Sequence, residues 1–234
     1  MRKSLILLIS FFVLIVLILL VDLVIFMEPA SKPNNVLISN VADKQATVSW
    51  TTEKATRGTI LISENNQFPA VLAFAKKTDK YEESSMLQGH YATHSITLTD
   101  LKPNTTYNYR IYQGFRAAYQ DSFQTGPILD TILTPNPVYG KIKEASKNPA
   151  VGAIIYLQLF SAEGTQSALL STLSNQQGGW SIDLANARSI DLQKSFPLDK
   201  KTREEIMVER GKGERIKEST SFGKDQPWPD VILR

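Results

Sequence analysis

The chain has 234 residues, 26 Lys plus Arg against 23 Asp plus Glu, a formal net charge of +3 and no cysteine. A chain this long holds one or two domains, and its 42% hydrophobic content is that of a globular protein. Absence of cysteine excludes a disulfide framework, a thiolate metal site and a cysteine nucleophile, and a charge of +3 is too small for a nucleic-acid binder, which needs cations clustered on one face.

Residues 5–27 are apolar except for Ser10 and Asp22, and dense in Leu, Ile, Val and Phe. About 20 such residues in a helix cross a ~30 Å hydrocarbon core, so the run predicts a transmembrane helix with the lipid bilayer as its partner. Asp22 falls one turn from the end, where its carboxylate reaches the interface. Arg2 and Lys3 precede the run and Glu28 follows it. The positive-inside bias then places residues 1–4 in the cytoplasm and all that follows residue 27 outside, as in a single-pass protein of the cell membrane. A cleaved signal peptide is the competing reading. Against it, the run exceeds the ~7–15 residues of a signal h-region, and Glu28 spoils a small-x-small site for a cut after Ala30. An uncleaved signal anchor is expected.

A spacer at 28–35, containing Pro33, leads into a different pattern. Apolar and polar residues now alternate, and Gly, Pro, Asn and Asp clusters interrupt them every ten or so positions. Strands are predicted at 35–41, 46–52, 56–63, 70–76, 94–99, 106–113 and 121–125, which together make one antiparallel immunoglobulin-like sandwich over 36–126.

Within it, Ala46, Val48, Ser49, Trp50, Thr51 and Thr52, followed by Ile96, Leu98, Leu101, Pro103, Thr105, Tyr107, Tyr109 and Ile111, resemble a fibronectin type III domain. The resemblance makes Trp50 the core tryptophan of the second strand, and Leu101, Pro103, Thr105 and Tyr107 the corner before the sixth. Physical reasoning agrees: Pro103 stiffens a turn, and a tyrosine at such a corner buries its ring while its hydroxyl bonds backbone. Phe123 to Gly126 resembles the closing strand. The run from Val48 to Thr52, then His94 before Ile96 and Leu98, is especially similar to the module preceding the catalytic domain of purple acid phosphatases. In that family the dimetal chemistry belongs to a separate domain rich in Asp, His and Asn ligands. Here the histidines are His90 and His94 alone, so the resemblance implies a fold and no phosphatase activity. Four residues of strand span about 13 Å, too far for both imidazoles to share an ion, which leaves them as surface or rim histidines.

Residues 127–137, rich in proline, read as a stiff linker. Alternation resumes in a second module, 138–234, with strands predicted at 138–143, 149–159, 167–174 and 178–184. Gly140, Pro149, Val151, Gly152, Ala153, Thr172, Gly179 and Trp180 resemble the carboxypeptidase regulatory-like, transthyretin-like sandwiches. The charged stretch 199–217 reads as a hairpin, 205–209 with 214–218 around Gly211 and Gly213, or alternatively as a helix over 199–210 capped by Gly211. Residues 231–233 supply a last strand.

The motifs of catalysis are missing. There is no phosphate-binding glycine loop, no Gly-x-Ser-x-Gly elbow and no His-Glu-x-x-His helix. Adjacent carboxylates such as Glu82 with Glu83, or Glu204 with Glu205, point to opposite faces of a strand and cannot flank one bond. No catalytic, cofactor-binding or metal-ligating residue is assigned, and no cofactor is implied. Two weaker signals are Phe115, Tyr119 and Phe123 near a loop, read chiefly as core, and an amide between Lys141 or Lys143 and Asp230 across a dry core. The expected fold is all-β: an N-terminal transmembrane helix followed by two Ig-like β-sandwich domains. The expected function is non-catalytic, that of a membrane-tethered extracytoplasmic protein in adhesion, scaffolding or protein–protein interaction. The alternative is a carbohydrate- or polymer-binding accessory subunit of an envelope enzyme. Its partner would be a protein or a polysaccharide, not nucleic acid.

Overall fold

The computed structural model describes residues 12–17, 31–68, 91–113, 116–130, 134–211 and 214–233. Of the apolar run 5–27, residues 12–17 are helical with exposed side chains. No helix among the described residues is long and apolar enough to cross a membrane. The rest of the predicted span lies outside the described residues, as does the strand predicted at 70–76.

The described body is β-structure. Its first part contains β1 (Asn34–Ser39), β2 (Ala46–Thr56), β3 (Gly58–Ser63), β4 (Tyr91–Leu98), β5 (Thr106–Gln113) and β6 (Arg116–Gln124). They form two sheets, β1-β2-β4 and β3-β5-β6, with every pairing antiparallel. Period-2 alternation explains what lies between them: Ala46, Val48 and Trp50 of β2, Ile96 and Leu98 of β4, and Tyr109 and Ile111 of β5 share one core. The corner before β5 closes as the tyrosine chemistry predicts. Tyr107 is buried and its hydroxyl accepts from the backbone N–H of Lys102 at 2.9 Å. Thr125 completes the corner, its Oγ1 donating to the Lys102 carbonyl at 2.6 Å and accepting from Thr105 N–H at 2.9 Å.

The second part contains β7 (Pro137–Lys143), β8 (Ile154–Phe160), β9 (Leu170–Leu173), β10 (Gly179–Asp183), β11 (Arg203–Arg210), β12 (Glu214–Ser221) and β13 (Val231–Ile232), with a 3-10 turn at Leu184–Asn186. Its sheets are β10-β7-β13 and β12-β11-β8-β9. The charged stretch is the hairpin and not the helix, paired from Arg203 with Ser221 to Arg210 with Glu214. Its period decides this, since Glu204, Ile206 and Val208 at every second position are buried. Ile206 and Val208 join Val138, Ile155, Leu157, Trp180 and Trp228 in the second core. β13 runs parallel to β7.

Gly178 holds the turn into β10 with a positive φ of 72°. A Cβ there would lie 2.3 Å from the Ile142 carbonyl, an atom the sheet cannot move. Gly178→Ala is therefore expected to lower the unfolding free energy by about 2–4 kcal/mol, measurable by urea denaturation.

Candidate functional site

His94 is not a rim residue. It faces Trp50 across the β2–β4 ladder, fully buried, with the two rings stacked at 4.7 Å. Gly58 makes room for them, since a Cβ there would come within 2.5 Å of the Trp50 ring and 2.8 Å of His94 Nδ1. The available signal was strand phase, because His94 shares a face with Ile96 and Leu98. Its Nε2 lies 3.3 Å from Thr56 Oγ1, but both groups are sealed from solvent and no substrate reaches them. His90 and Phe115 lie outside the described residues; among the described residues no group of three or more potential metal ligands occurs. Tyr119 and Phe123 pack on Tyr109, at 6.2 and 6.1 Å between ring centroids, and close the first core. Lys143 meets Asp230 at 2.5 Å, but with side chains 37% and 47% exposed this is a wet ion pair, not the dry setting that amide formation needs.

Sequence reasoning missed how the two sandwiches meet. Thr47, Ser49 and Thr51 project from β2 away from Val48 and Trp50, yet are equally buried. They are covered by the outer face of the β12-β11-β8-β9 sheet, which contributes the buried Ile154, Tyr156, Ser171 and Glu209. The hydroxyls of Ser49 and Tyr156 meet at 2.8 Å, and those of Ser39 and Ser171 at 2.7 Å. Asn40 clasps the partner strand at three points: its N–H donates to Leu169 O at 2.8 Å, its Nδ2 to Ser171 O at 3.0 Å, and its Oδ1 accepts from Ser171 N–H at 2.8 Å. Gly211 N–H donates to Thr93 Oγ1 at 3.0 Å. Burial raises the pKa of the Tyr156 hydroxyl and keeps it neutral.

One acidic side chain is buried in this seam. Glu209, 1% exposed, accepts from Asn35 Nδ2, from Thr51 Oγ1 at 3.5 Å, and from Arg215 Nη2 at 3.4 Å to each oxygen. A buried carboxylate is tolerated when its lone pairs are met in this way.

At the end of the seam lies a polar cleft of about 490 Å³ between the 40–45 loop and the 181–188 segment. Arg188, 8% exposed, stitches it together. Its Nη1 donates to Pro127 O at 2.8 Å and to Leu192 O at 3.4 Å, and its Nη2 lies 3.5 Å from Asp43 Oδ1. Burial lowers its pKa, yet a guanidinium stays charged. Ser171, which lines the cleft, touches Ser39 and Asn40, neither of which can take its proton. Asp183 Oδ1 is occupied by Asn136 N–H and Ala185 N–H. The cleft can hold polar groups, and among the described residues that line it there is no activated nucleophile.

A second buried acid lies in the core of the second sandwich. Glu204 and Asp225 are 0% and 1% exposed, and apart from each other neither carboxyl group finds a hydrogen-bond donor among the described residues. Burial, and then the neighbouring Asp225, pushes the Glu204 pKa up to about 8.

Fold and seam together define an all-β chain of two sandwiches, the first fibronectin-like. Residues 33–125 match the family model for the N-terminal domain of purple acid phosphatase, which covers β1 to β6 and stops before the second sandwich. No curated protein matches the chain significantly. Among solved structures, the chain is similar to the chicken CNTN1 FN1-FN3 domains, at 12% identity over 88% of this chain and 67% of that one, with a TM-score of 0.25. It is also similar to the dimeric latent PorU of Porphyromonas gingivalis, at 11% identity over 91% of this chain and 21% of that one, with a TM-score of 0.28. A third similarity is to the 35 kDa C-terminal fragment of the Streptococcus agalactiae major pilin GBS80, at 9% identity over 88% of this chain and 100% of that one, with a TM-score of 0.24.

Two outcomes follow from the buried polar groups. Tyr156→Phe and Ser49→Ala should each lower stability by about 1 kcal/mol, with a coupling of about 0.5–1 kcal/mol in the double-mutant cycle; zero coupling would mean that the hydroxyls do not meet. Glu204 has a folded pKa of about 8, above its ordinary 4.5, so the folded state holds the extra proton between those values. Stability is then greatest at the acid end of this window and falls as pH rises through about 8, a slope that Glu204→Gln should flatten in denaturation at about pH 5, 7 and 9.

Proposed function

We propose that the chain is a membrane-tethered, extracytoplasmic β-sandwich protein that binds another macromolecule, in adhesion or scaffolding, without catalysis. The seam carries this reading. By joining the sheets β1-β2-β4 and β12-β11-β8-β9 face to face, it makes the two sandwiches a single four-layer body with a fixed orientation. A partner gripped by one sandwich is held rigidly with respect to the other. The tether rests on residues 5–27 and on Arg2 and Lys3 before them. Ile128 and Ile190, 59% and 62% exposed, stand on the two segments that Arg188 ties together and offer an apolar contact spot beside the polar cleft.

A C-terminally tagged copy tests the topology. Protease should remove the tag without the inner membrane being breached, and the chain should stay with membranes after carbonate washing. Protection until the inner membrane is broken would overturn the orientation, and release by carbonate would remove the anchor.

A further inference from the structure

The second sandwich carries another cleft, of about 710 Å³, where β7 and β10 meet the 227–230 segment. That size suits a small guest, for which sites of about 300–1,000 Å³ are usual. Its polar and aromatic groups are arranged by the β7–β10 ladder. Tyr139 pairs with Ser181 and Lys141 with Gly179. Tyr139 and Lys141 are two positions apart on the outer face of one strand, so their side chains point the same way about 7 Å apart.

Each group is available. Tyr139 is 44% exposed, and its hydroxyl makes no hydrogen bond among the described residues. On the core side of the same sheet, Trp180 and Trp228 stiffen the ladder from behind, buried with their ring centroids 6.1 Å apart. Gly140 lets them approach, since a Cβ there would lie 3.0 Å from Trp228 and 3.1 Å from Trp180 Nε1. Asn175 is fixed in one orientation because its Oδ1 accepts from Gln177 N–H and Gly179 N–H, both at 2.9 Å. The Nδ2 hydrogens are thereby left to a guest, and Gly179 keeps them open: a side chain at 179 would begin 3.2 Å from that nitrogen.

Charge narrows the class of guest. Asp230, the acid of the cleft, is neutralised by Lys143, whereas Lys141 is exposed and has no carboxylate partner among the described residues. The rim therefore carries one uncompensated positive charge. An exposed aromatic ring presents a negative face to the C–H groups of a pyranose, a pre-oriented amide and a hydroxyl serve its oxygens, and a lone cation selects for an acid.

We propose that this cleft binds a saccharide bearing a carboxylate, with its ring stacked on Tyr139, its hydroxyls on Asn175 and Ser181, and its carboxylate on Lys141. The proposal adds a ligand class that the reading of a tethered binding body does not require, and its test is indifferent to membrane orientation.

Calorimetric titration of the full chain in detergent, with tetragalacturonate and with its methyl ester, decides the matter. A change in tyrosine fluorescence that Tyr139→Ala abolishes gives an independent readout. The free acid should bind at least about tenfold more tightly than the ester, and Tyr139→Ala and Lys141→Ala should each weaken it at least about tenfold, while Lys54→Ala, at an exposed lysine of the first sandwich, leaves it unchanged. Both substituted side chains are at the surface, so the variants are expected to fold. Absence of binding by either compound, equal binding of acid and ester, or unaltered binding by Tyr139→Ala would each overturn the assignment.

Discussion

A polar seam between two sheets dictates how this chain is assembled. Apolar faces can slide over one another at little cost, but Glu209, Tyr156, Ser49, Ser39 and Ser171 lose their water on burial and must each meet a partner. A displacement of one residue along β8 would move the Tyr156 hydroxyl away from Ser49, and a similar slip of β11 would strip Glu209 of Asn35 and Thr51. The interface is therefore specified by the cost of leaving these groups unpaired more than by any net gain from pairing them.

This constraint settles which surfaces remain for partners. The seam consumes one sheet of each sandwich, so β2 is buried on both faces, and the outward layers are β3-β5-β6 and β10-β7-β13. The exposed face of β7, with Tyr139 and Lys141, belongs to one of these layers and so is free to face a ligand. Arg188 works at the end of the same seam, where it holds Pro127 and Leu192 by their carbonyls and leaves Ile128 and Ile190 in solvent. Packing, exposure and the proposed binding surfaces are consequences of one choice of docking face.

The second sandwich adds a different use of a buried acid. Glu209 is surrounded by donors from both sandwiches, whereas Glu204, on the opposite face of the same strand β11, sees Asp225 and apolar neighbours, and its pKa is pushed up to about 8. Two carboxyl groups on one strand, five residues apart, thus differ in their partners because alternation sends them to opposite sides of the sheet.

Much of the local architecture was legible in the sequence. Alternation and turn chemistry place β2, β5 and the β11–β12 hairpin, and the Leu101 to Tyr107 corner announced both its buried ring and its backbone hydrogen bond. These features depend on neighbours a few residues apart, whose geometry the chain fixes locally. The docking of the sandwiches was not legible, although uncharged Thr47, Ser49 and Thr51 on β2, and Thr93, Ser95 and Thr97 on β4, hinted at it. Serine and threonine are as well satisfied by water as by a partner hydroxyl, so their pattern does not reveal which one they meet. His94 and the Tyr139 cleft share this ambiguity in part, since their surroundings come from strands and turns distant in the chain. The contact of Asn35 with Glu209 spans 174 positions. Sequence by itself determined most of the described strands, because period and turn propensity act within a few residues. Only tertiary structure decided the seam, the partners of each buried acid and the open clefts, because these depend on desolvation by segments far away along the chain.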